Sequence, residues 1–395
     1  MTIGKSFEPR YDVVVVGGRA AGASAAMLLA RAGLRVAVVE RGQRGADTLS
    51  THALMRGAVV QLSRWGLLDR AMAAGTPPVR STTFHYGDTT VPLAIKPRFG
   101  VDALCAPRRP VLDGTLAAAA EEAGADVVFG ARVSDLSRDA SGRVNGVVVE
   151  DAPGRRRHVA ARLVVGADGL RSTVARLAGA AVLEAGSHGA AVIYGYWSGL
   201  SVDGYHWYYR PGVSAGAIPT NDGLVCVFAS MPSSRFLHDA RFRQAAAYHE
   251  VLREVSPALA GHVARGRLVG PLRGWTGEPG VMRQASGPGW ALVGDAGCFR
   301  DPITAHGLTD ALRDAELLAA AAREDGERAW RDYAAQRDVF ARPLFDLSDR
   351  IASFTWDLDE LQALHRALSE AMVREAEWIA ALGGGHDRPA CGTAA

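Results

Sequence analysis

Four consecutive valines, Val13–Val16, form the first strongly patterned stretch of the chain. A strand with one wet face alternates apolar and polar residues, so an unbroken apolar run predicts a strand buried on both faces. After Gly17 and Gly18 comes an alanine- and leucine-rich stretch that predicts a helix over about residues 20–33. A second strand is predicted over 35–40, ending in Glu40. Residues 51–74 read as helical. "STTFHYGDTTVPLAI" alternates around Gly87-Asp88, the signature of a hairpin. "RRPVLDGTLAAAAEEAG" reads as a helix, followed by short strands near 126–133, 144–150 and 157–166, separated by "DASGR" and "DAPGR".

Residues 188–232 are strand-rich and aromatic, and 240–265 read as helical. "GPGWALVGDAG" is a strand entering a turn, with a long helix expected from about 306 to 323. Near the end, Leu361, Leu364, Leu368, Met372, Ile379 and Leu382 fall on one helical face, an amphipathic helix expected to pack on its own domain. The tail "GGGHDRPACGTAA" reads as mobile. No internal repeat is found.

Composition narrows the classes. With 395 residues the chain can hold two domains, or one large domain with an insertion. The formal net charge is +2 with no long basic run, which gives a nucleic-acid partner no electrostatic support. Positive charge is nearly all arginine, since Lys5 and Lys96 are the only lysines. Cys105, Cys226, Cys298 and Cys391 are scattered without a CxxC pair, so neither a zinc site nor a disulfide framework is expected. No apolar run reaches membrane-spanning length and the first residues carry no secretory apolar segment. A cytoplasmic protein with no metal and no membrane span is the expectation.

The candidate chemistry starts in "YDVVVVGGRAAGASAAMLLARAGLRVAVVER". Strand, glycine turn, helix, strand and terminal acid are the plan of a dinucleotide-binding βαβ unit. Gly17 allows the tight turn, and Gly22 lets helix and strand approach. With Gly18 and Ala21 they place backbone N–H groups and a helix N-terminus against a pyrophosphate. Glu40 is placed to accept from ribose hydroxyls, and Arg41 follows it. The second glycine of G-x-G-x-x-G is replaced by Arg19. Its guanidinium is expected to lean away from the phosphates, towards protein groups or the cleft.

"LVVGADGLRSTVAR" and "WALVGDAGCFRDPITAHGLTDALRDAELLA" each put a Gly/Asp pair after a strand. With the glycine turn, these three segments in this order resemble the group A flavin monooxygenases, FAD-dependent oxidoreductases of the p-hydroxybenzoate hydroxylase type. The resemblance covers most of the chain. It implies FAD, with Arg109 reaching the cofactor, Asp168 near the pyrophosphate, and Asp295 on the ribityl hydroxyls. Pro302, Gly307 and Leu308 would lie along the isoalloxazine ring. It also implies NAD(P)H and O2 as co-substrates. Arg19, Cys298, Asp301 and Thr309 depart from the family's usual glycine, histidine, proline and asparagine.

The expected fold is α/β: a Rossmann-like FAD-binding domain over 1–78, 104–184 and 286–345, with an inserted β-sheet substrate domain over 79–103 and 185–285. A helical C-terminal segment and tail would occupy 346–395. Tyr194, Tyr196, His206 and Tyr208 are the candidate substrate residues, because alternating rings on a strand make a flat aromatic wall. His52 is the candidate general base. The expected reaction is oxygenation of a small aromatic or polycyclic molecule. A reductase or dehydrogenase of the geranylgeranyl-reductase type is the alternative. A halogenase is disfavoured by the absence of a W-x-W-x-I-P motif. A flavin-binding protein without catalytic activity is a further alternative. Oligomeric state is not indicated.

Overall fold

A computed structural model describes residues 7–8, 10–152, 155–324 and 326–382. The expected tail segment from Gly383 onward lies outside the described residues. The first sheet runs in the order Ser286–Gly287, Trp290–Leu292, Arg155–Gly166, Arg10–Val16, Val36–Glu40, Asp126–Phe129. The strand Arg10–Val16 lies in its middle and pairs in parallel on both sides, Val13 opposite Val36 and Leu163. Val13, Val14 and Val15 are fully buried, because helices or a further layer cover both faces. Arg132–Arg138 and Val144–Ala152 extend this sheet as an antiparallel flap on Arg155–Gly166.

The helix Ala20–Arg31 follows the first strand. Its small residues let it pack closely on the helix Gly307–Glu324. At their crossing a Cβ placed on Gly294 would lie 3.1 Å from Ala21 Cβ and 3.4 Å from Ala311 Cβ.

A second, seven-stranded sheet runs Arg267–Trp275, Ala190–Ser198, Val225–Pro232, Val213–Pro219, Tyr205–Arg210, Ser81–Tyr86, Thr89–Ala94. All of its pairs are antiparallel except Tyr205–Arg210 with Ser81–Tyr86, which join two distant parts of the chain. One face packs on the first sheet's layer; the other carries Ile193, Trp197, Val227 and the helix Gln244–Val255.

Local structure departs from expectation in three places. Residues 51–74 hold two short helices, Arg56–Arg64 and Leu68–Ala73, with Gly66 at φ +74° between them. Residues 51–55 precede them as a non-helical segment. The helix expected over 240–265 is split at Ser256: Pro257 cannot donate to the preceding turn, and the Ser256 hydroxyl accepts from Leu259 N at 3.2 Å to start a new helix. Third, Glu327–Ala352 is one continuous helix through the boundary expected at 345. The expected amphipathic helix is Leu358–Ala381, capped by Asp357 accepting from Glu360 N at 2.8 Å.

Candidate functional site

The turn after the first strand is fixed by contact rather than by composition alone. Gly17 sits at φ +101°, and a Cβ there would meet Ala167 O at 2.4 Å. A Cβ on Gly22 would fall 1.8 Å from Gly17 O, so helix and turn touch only because it is glycine. Glu40 is buried at the end of its strand and ties the turn down: its oxygens accept from Gly18 N and Gly42 N, each at 2.6 Å. A carboxylate has further lone pairs, so this role leaves room for a hydroxyl donor. Arg41 beyond it is exposed.

Arg19 leaves the turn. Its backbone is extended, at φ −91° and ψ −162°. Its guanidinium donates to Asp113 Oδ2 at 3.2 Å and to Ala46 O at 3.3 Å. Arg109, at the start of the helix Arg109–Glu122, donates to the other oxygen of Asp113 at 3.0 and 3.2 Å. One carboxylate thus holds both arginines, and Arg19 is spent on protein groups.

Strand order sets a direction. Glu40 ends the strand on one side of Arg10–Val16; Arg155–Gly166 and Trp290–Leu292 lie on the other. A dinucleotide crossing at Gly17 with its ribose near Glu40 therefore extends its far half towards Asp295. Asp295 follows Gly294, which has φ +56° and donates its N–H to Asp314 Oδ2 at 3.1 Å. The Asp295 carboxylate makes no hydrogen bond among the described residues. Burial, reinforced by the charge of Asp310 and opposed by Arg109 and Arg300, pushes it up to about 6. A Cβ on Gly307, the first residue of the long helix, would stand 3.7 Å from Asp295 Oδ1. The positive end of that helix and an unpartnered acceptor therefore share one edge of the crevice.

Asp301 ties this edge to the second sheet. It accepts from Ala190 N at 2.6 Å and from Ile303 N at 2.9 Å, and burial pushes it up to about 7. Pro302 and Gly307 are exposed around the turn and Leu308 is half-buried. Asp168 is engaged within its own turn. Its oxygens accept from Ser172 Oγ at 2.5 Å and Thr173 N at 2.6 Å, so the carboxylate caps the short helix Thr173–Ala178.

Behind the long helix lies a buried ionic network that the sequence reading did not identify. Arg313 is completely buried. It donates to Asp310 at 2.8 Å, Asp314 at 2.7 Å and Glu375 at 2.5 Å. Arg300 pairs with the other oxygen of Asp310. His306 Nε2 lies 2.5 Å from Glu375 Oε2. Burial alone would raise the Glu375 carboxyl, but the charges of His306 and Arg313 outweigh it and hold it at about 2. His306, Asp310 and Glu375 bring ligand atoms within 4.8 Å of one another. Two guanidiniums already occupy those carboxylates, so the cluster is an ion network rather than a metal cage.

The four candidate substrate residues split between two faces. Tyr194 lies in one row with Phe228, Gly216, Trp207 and Phe84; Tyr208 lies in the next row with Ala215, Ala229 and Ile193. Tyr194 and Tyr196 face the first sheet's layer, whereas His206 and Tyr208 face away. Those two are occupied there: His206 Nδ1 lies 3.1 Å from His85 Nε2, and the Tyr208 ring stacks on His85 with centroids 4.1 Å apart. On the inner face, Phe84, Tyr86 and Tyr209 pack against His365 of the last helix, with Tyr86 Oη 2.8 Å from His365 Nδ1.

The remaining inner rings surround His52. Its Nε2 is 3.1 Å from Tyr196 Oη, and its buried Nδ1 makes no well-formed hydrogen bond among the described residues. His52 is buried and sits at φ +49°, a strained conformation for a residue with a Cβ. Burial, then the charges of Arg109 and Arg108, push it down to about 3. It is therefore neutral near pH 7 and a weak base. Burial pushes the Tyr196 hydroxyl upward. The Arg108 guanidinium lies 4.4 Å from the Tyr196 ring centroid, and Asp47 binds both Arg108 and Arg273 at 3.1 Å. Ser50 N donates to Tyr194 Oη at 3.2 Å.

The sequence profile of a family described as an FAD binding domain matches residues 10–348. The chain belongs to this family. It is 30% identical to the menaquinone reductase of Mycolicibacterium smegmatis, over 81% of this chain and 79% of that one. It is 25% identical to digeranylgeranylglycerophospholipid reductase 1 of Methanococcoides burtonii, over 94% and 92% of the two chains. Among solved structures, the flavin-dependent brominase Bmp2 matches with a TM-score of 0.76 at 19% identity, covering 95% and 94%. PqsL, a probable FAD-dependent monooxygenase from Pseudomonas aeruginosa, matches at 0.71 and 19%, covering 92% and 100%. These two likenesses establish the fold.

As a member of this group A flavoprotein superfamily, the chain is an FAD-dependent flavoenzyme. The residues present fit the cofactor. The glycine turn offers N–H groups where a pyrophosphate needs donors, and Asp295 is a buried-edge carboxylate without a partner where a polyhydroxyl chain needs an acceptor. Arg109, held by Asp113, stands beside both. Arg108, Asp47, Arg273, Arg300, His306, Arg313 and Glu375 were missed by sequence reading. The adjacent "RR" of Arg108-Arg109 and the charges within "AHGLTDALRDAE" were the available signals.

Proposed function

We propose that this flavoenzyme is a reductase that adds a hydride and a proton across a double bond of an apolar, quinone- or isoprenoid-type molecule, with NAD(P)H as electron source. The observation that carries this reading is the 30% identity, over about four-fifths of both chains, to a protein named menaquinone reductase. Bound FAD supplies a two-electron carrier between the nicotinamide and the substrate. The chain's own part is to orient the substrate, exclude water and deliver the proton. Tyr194 and Tyr196 provide an apolar wall with hydroxyl tips between the two sheets. The Tyr196 hydroxyl is the proton donor in this proposal, and His52 fixes its direction. Arg108 over the ring favours the charge left on the oxygen when the proton departs. The Tyr196 oxygen regains its proton from water once the product has left, and His52 stays neutral throughout.

A second reading, insertion of one oxygen atom from O2 into an aromatic or polycyclic substrate, is favoured by the same tyrosine wall beside His52. Anaerobic turnover separates the two. Enzyme reduced with NAD(P)H is mixed with menaquinone or a geranylgeranyl lipid without oxygen. Flavin reoxidation with a product heavier by two hydrogens supports the reductase. Product formed only in air, carrying label from ¹⁸O₂, overturns it in favour of the oxygenase.

A further inference from the structure

Two arginines at the edge of the tyrosine wall are held by a single carboxylate. Arg108 precedes the helix Arg109–Glu122, and its backbone N–H donates to Asn221 Oδ1 at 2.8 Å. Arg273 lies on the strand Arg267–Trp275, directly opposite Tyr194 on the neighbouring strand Ala190–Ser198. Residues opposite each other on paired strands point to the same face, so Arg273 stands on the inner face beside Tyr194. Asp47 joins the two arginines. Its Oδ2 lies 3.1 Å from Arg108 Nη2 and 3.1 Å from Arg273 Nη1, while its Oδ1 accepts from Thr48 N at 2.9 Å.

Three features set this group apart from the buried network around Arg313. First, it is open. The side chains of Arg108, Arg273 and Asp47 are 24%, 31% and 15% exposed, whereas that of Arg313 is fully covered. Second, donors are in excess. A guanidinium offers five N–H groups. Among the described residues, the Arg273 guanidinium pairs with Asp47 alone, and that of Arg108 pairs with Asp47 and lies over the Tyr196 ring. Third, positive charge is in excess. Two guanidiniums share one carboxylate, and the next arginines along this edge, Arg19 and Arg109, likewise share one, Asp113. His52 is neutral near pH 7, and burial keeps the hydroxyls of Tyr194 and Tyr196 protonated, so none of them offsets it. An anion between Arg108 and Arg273 would meet the unused donors and balance the charge.

We propose that Arg108 and Arg273 bind an anionic head group, a phosphate or a carboxylate, on an otherwise apolar substrate. The charged end stays at the exposed arginines while the apolar body lies along Tyr194 and Tyr196, which fixes the end by which the substrate enters. The planar fork of a guanidinium suits either oxyanion. The pyrophosphate of FAD has its own donors at the glycine turn, and Arg273 belongs to the other sheet. Asp47 is a positioning residue that holds the two guanidiniums together. The inference rests on the reading of these tyrosines as the substrate wall, and is the same for reduction and for oxygen insertion.

The test compares three ligands that share one chain: farnesyl phosphate, farnesoate and farnesol. Each is titrated, below its micelle concentration, into the FAD-loaded, full-length protein, and binding is read from the flavin absorbance and the tryptophan fluorescence. Wild type is expected to bind at least one of the anions about tenfold or more tighter than the alcohol, as for hydrogen bonds to charged groups. Which anion is preferred separates a phosphate head from a carboxylate head. Arg273→Gln is expected to abolish the preference while the affinities for farnesol and FAD stay within a few-fold of wild type. Arg273→Lys, which keeps the charge but not the fork, is expected to retain part of it. Equal affinity for anions and alcohol in wild type, an unchanged preference in Arg273→Gln, or no binding of any of the three overturns the proposal. So does an Arg273→Gln variant that loses affinity for FAD or NAD(P)H while the preference persists, since the pair would then serve a cofactor. If Arg273→Gln does not fold, the wild-type preference in rising salt decides: one that shrinks supports the proposal and one that persists overturns it. No turnover is measured, so this preference and anaerobic reduction succeed or fail separately.

Discussion

Removing the Asp295 carboxylate takes away an acceptor without creating an unpaired partner inside the protein, since it makes no hydrogen bond among the described residues. Asp295→Ala is expected to weaken FAD binding by ten- to a hundredfold, about 1.5–3 kcal/mol for a charge-assisted bond, while the fold persists. Quenching of flavin fluorescence on titration measures it; an unchanged dissociation constant refutes the role. Arg19 is the opposite case. Its guanidinium is engaged by Asp113 and Ala46, so Arg19→Gly is expected to bind FAD within a few-fold of wild type. A hundredfold loss, about 2.7 kcal/mol, would place Arg19 on the cofactor. Asp301 predicts a pH effect. Its folded value, about 7, lies above the unfolded value of 3.8. Between them the folded state keeps a proton that the unfolded state loses, so stability falls as pH rises from about 4 to about 7 and the loss is complete above that. Relative to Asp301→Asn, wild type should lose thermal stability across that window in melts at stepped pH. Parallel slopes would show that Asp301 does not titrate there. At this scale the sequence indicated the tight turn at Gly17 and Gly22, although the backbone that demands glycine at Gly17, Ala167, lies far along the chain. For Asp168 the sequence did not show the cap, because the same Asp-Gly pair serves a ligand or a helix start, and the Ser172 and Thr173 contacts appear only in the fold.

Elements with strong periodicity were legible: the valine strand, the hairpin at Gly87-Asp88 and the last helix. The signal for the buried network was a gap. The apolar stripe of the last helix passes from Met372 to Ile379, and Glu375 stands in the interval, four residues from buried Ala371 and Ile379. A charge on a buried stripe implies a partner on another element, but a single sequence does not say which. Here it is Arg313, on a helix more than forty residues earlier in the chain. The network's energetic weight is testable there. Arg313→Met leaves three buried carboxylates without their shared cation. It is expected to destabilise the protein by about 3–5 kcal/mol, seen as a lowered denaturation midpoint. A loss under about 1 kcal/mol would show that the carboxylates take up protons at little cost.

For the whole molecule, the order of the three motif segments was enough to indicate the α/β fold, because each follows a strand of one sheet. The face of the second sheet was not legible: alternation says that neighbouring rings diverge, but not which set turns inward. Tyr194 and Tyr196 turned inward and His206 and Tyr208 outward because the helix Gln244–Val255 covers the other side. No covalent anchor is implied by any of these contacts. Heating the yellow protein is therefore expected to release intact FAD, identified by chromatography against FMN; colour remaining with the precipitated chain would refute this. The parallel pairing of Ser81–Tyr86 with Tyr205–Arg210 has a consequence for descent. Two stretches separated by more than a hundred residues form adjacent strands of one sheet, with Thr82 opposite Tyr205 and Tyr86 opposite Tyr209. A recombination breakpoint between them would import one half of a ladder without its mate. The aromatic sheet can thus be exchanged between relatives only as a matched pair of segments, inherited together despite their distance along the gene.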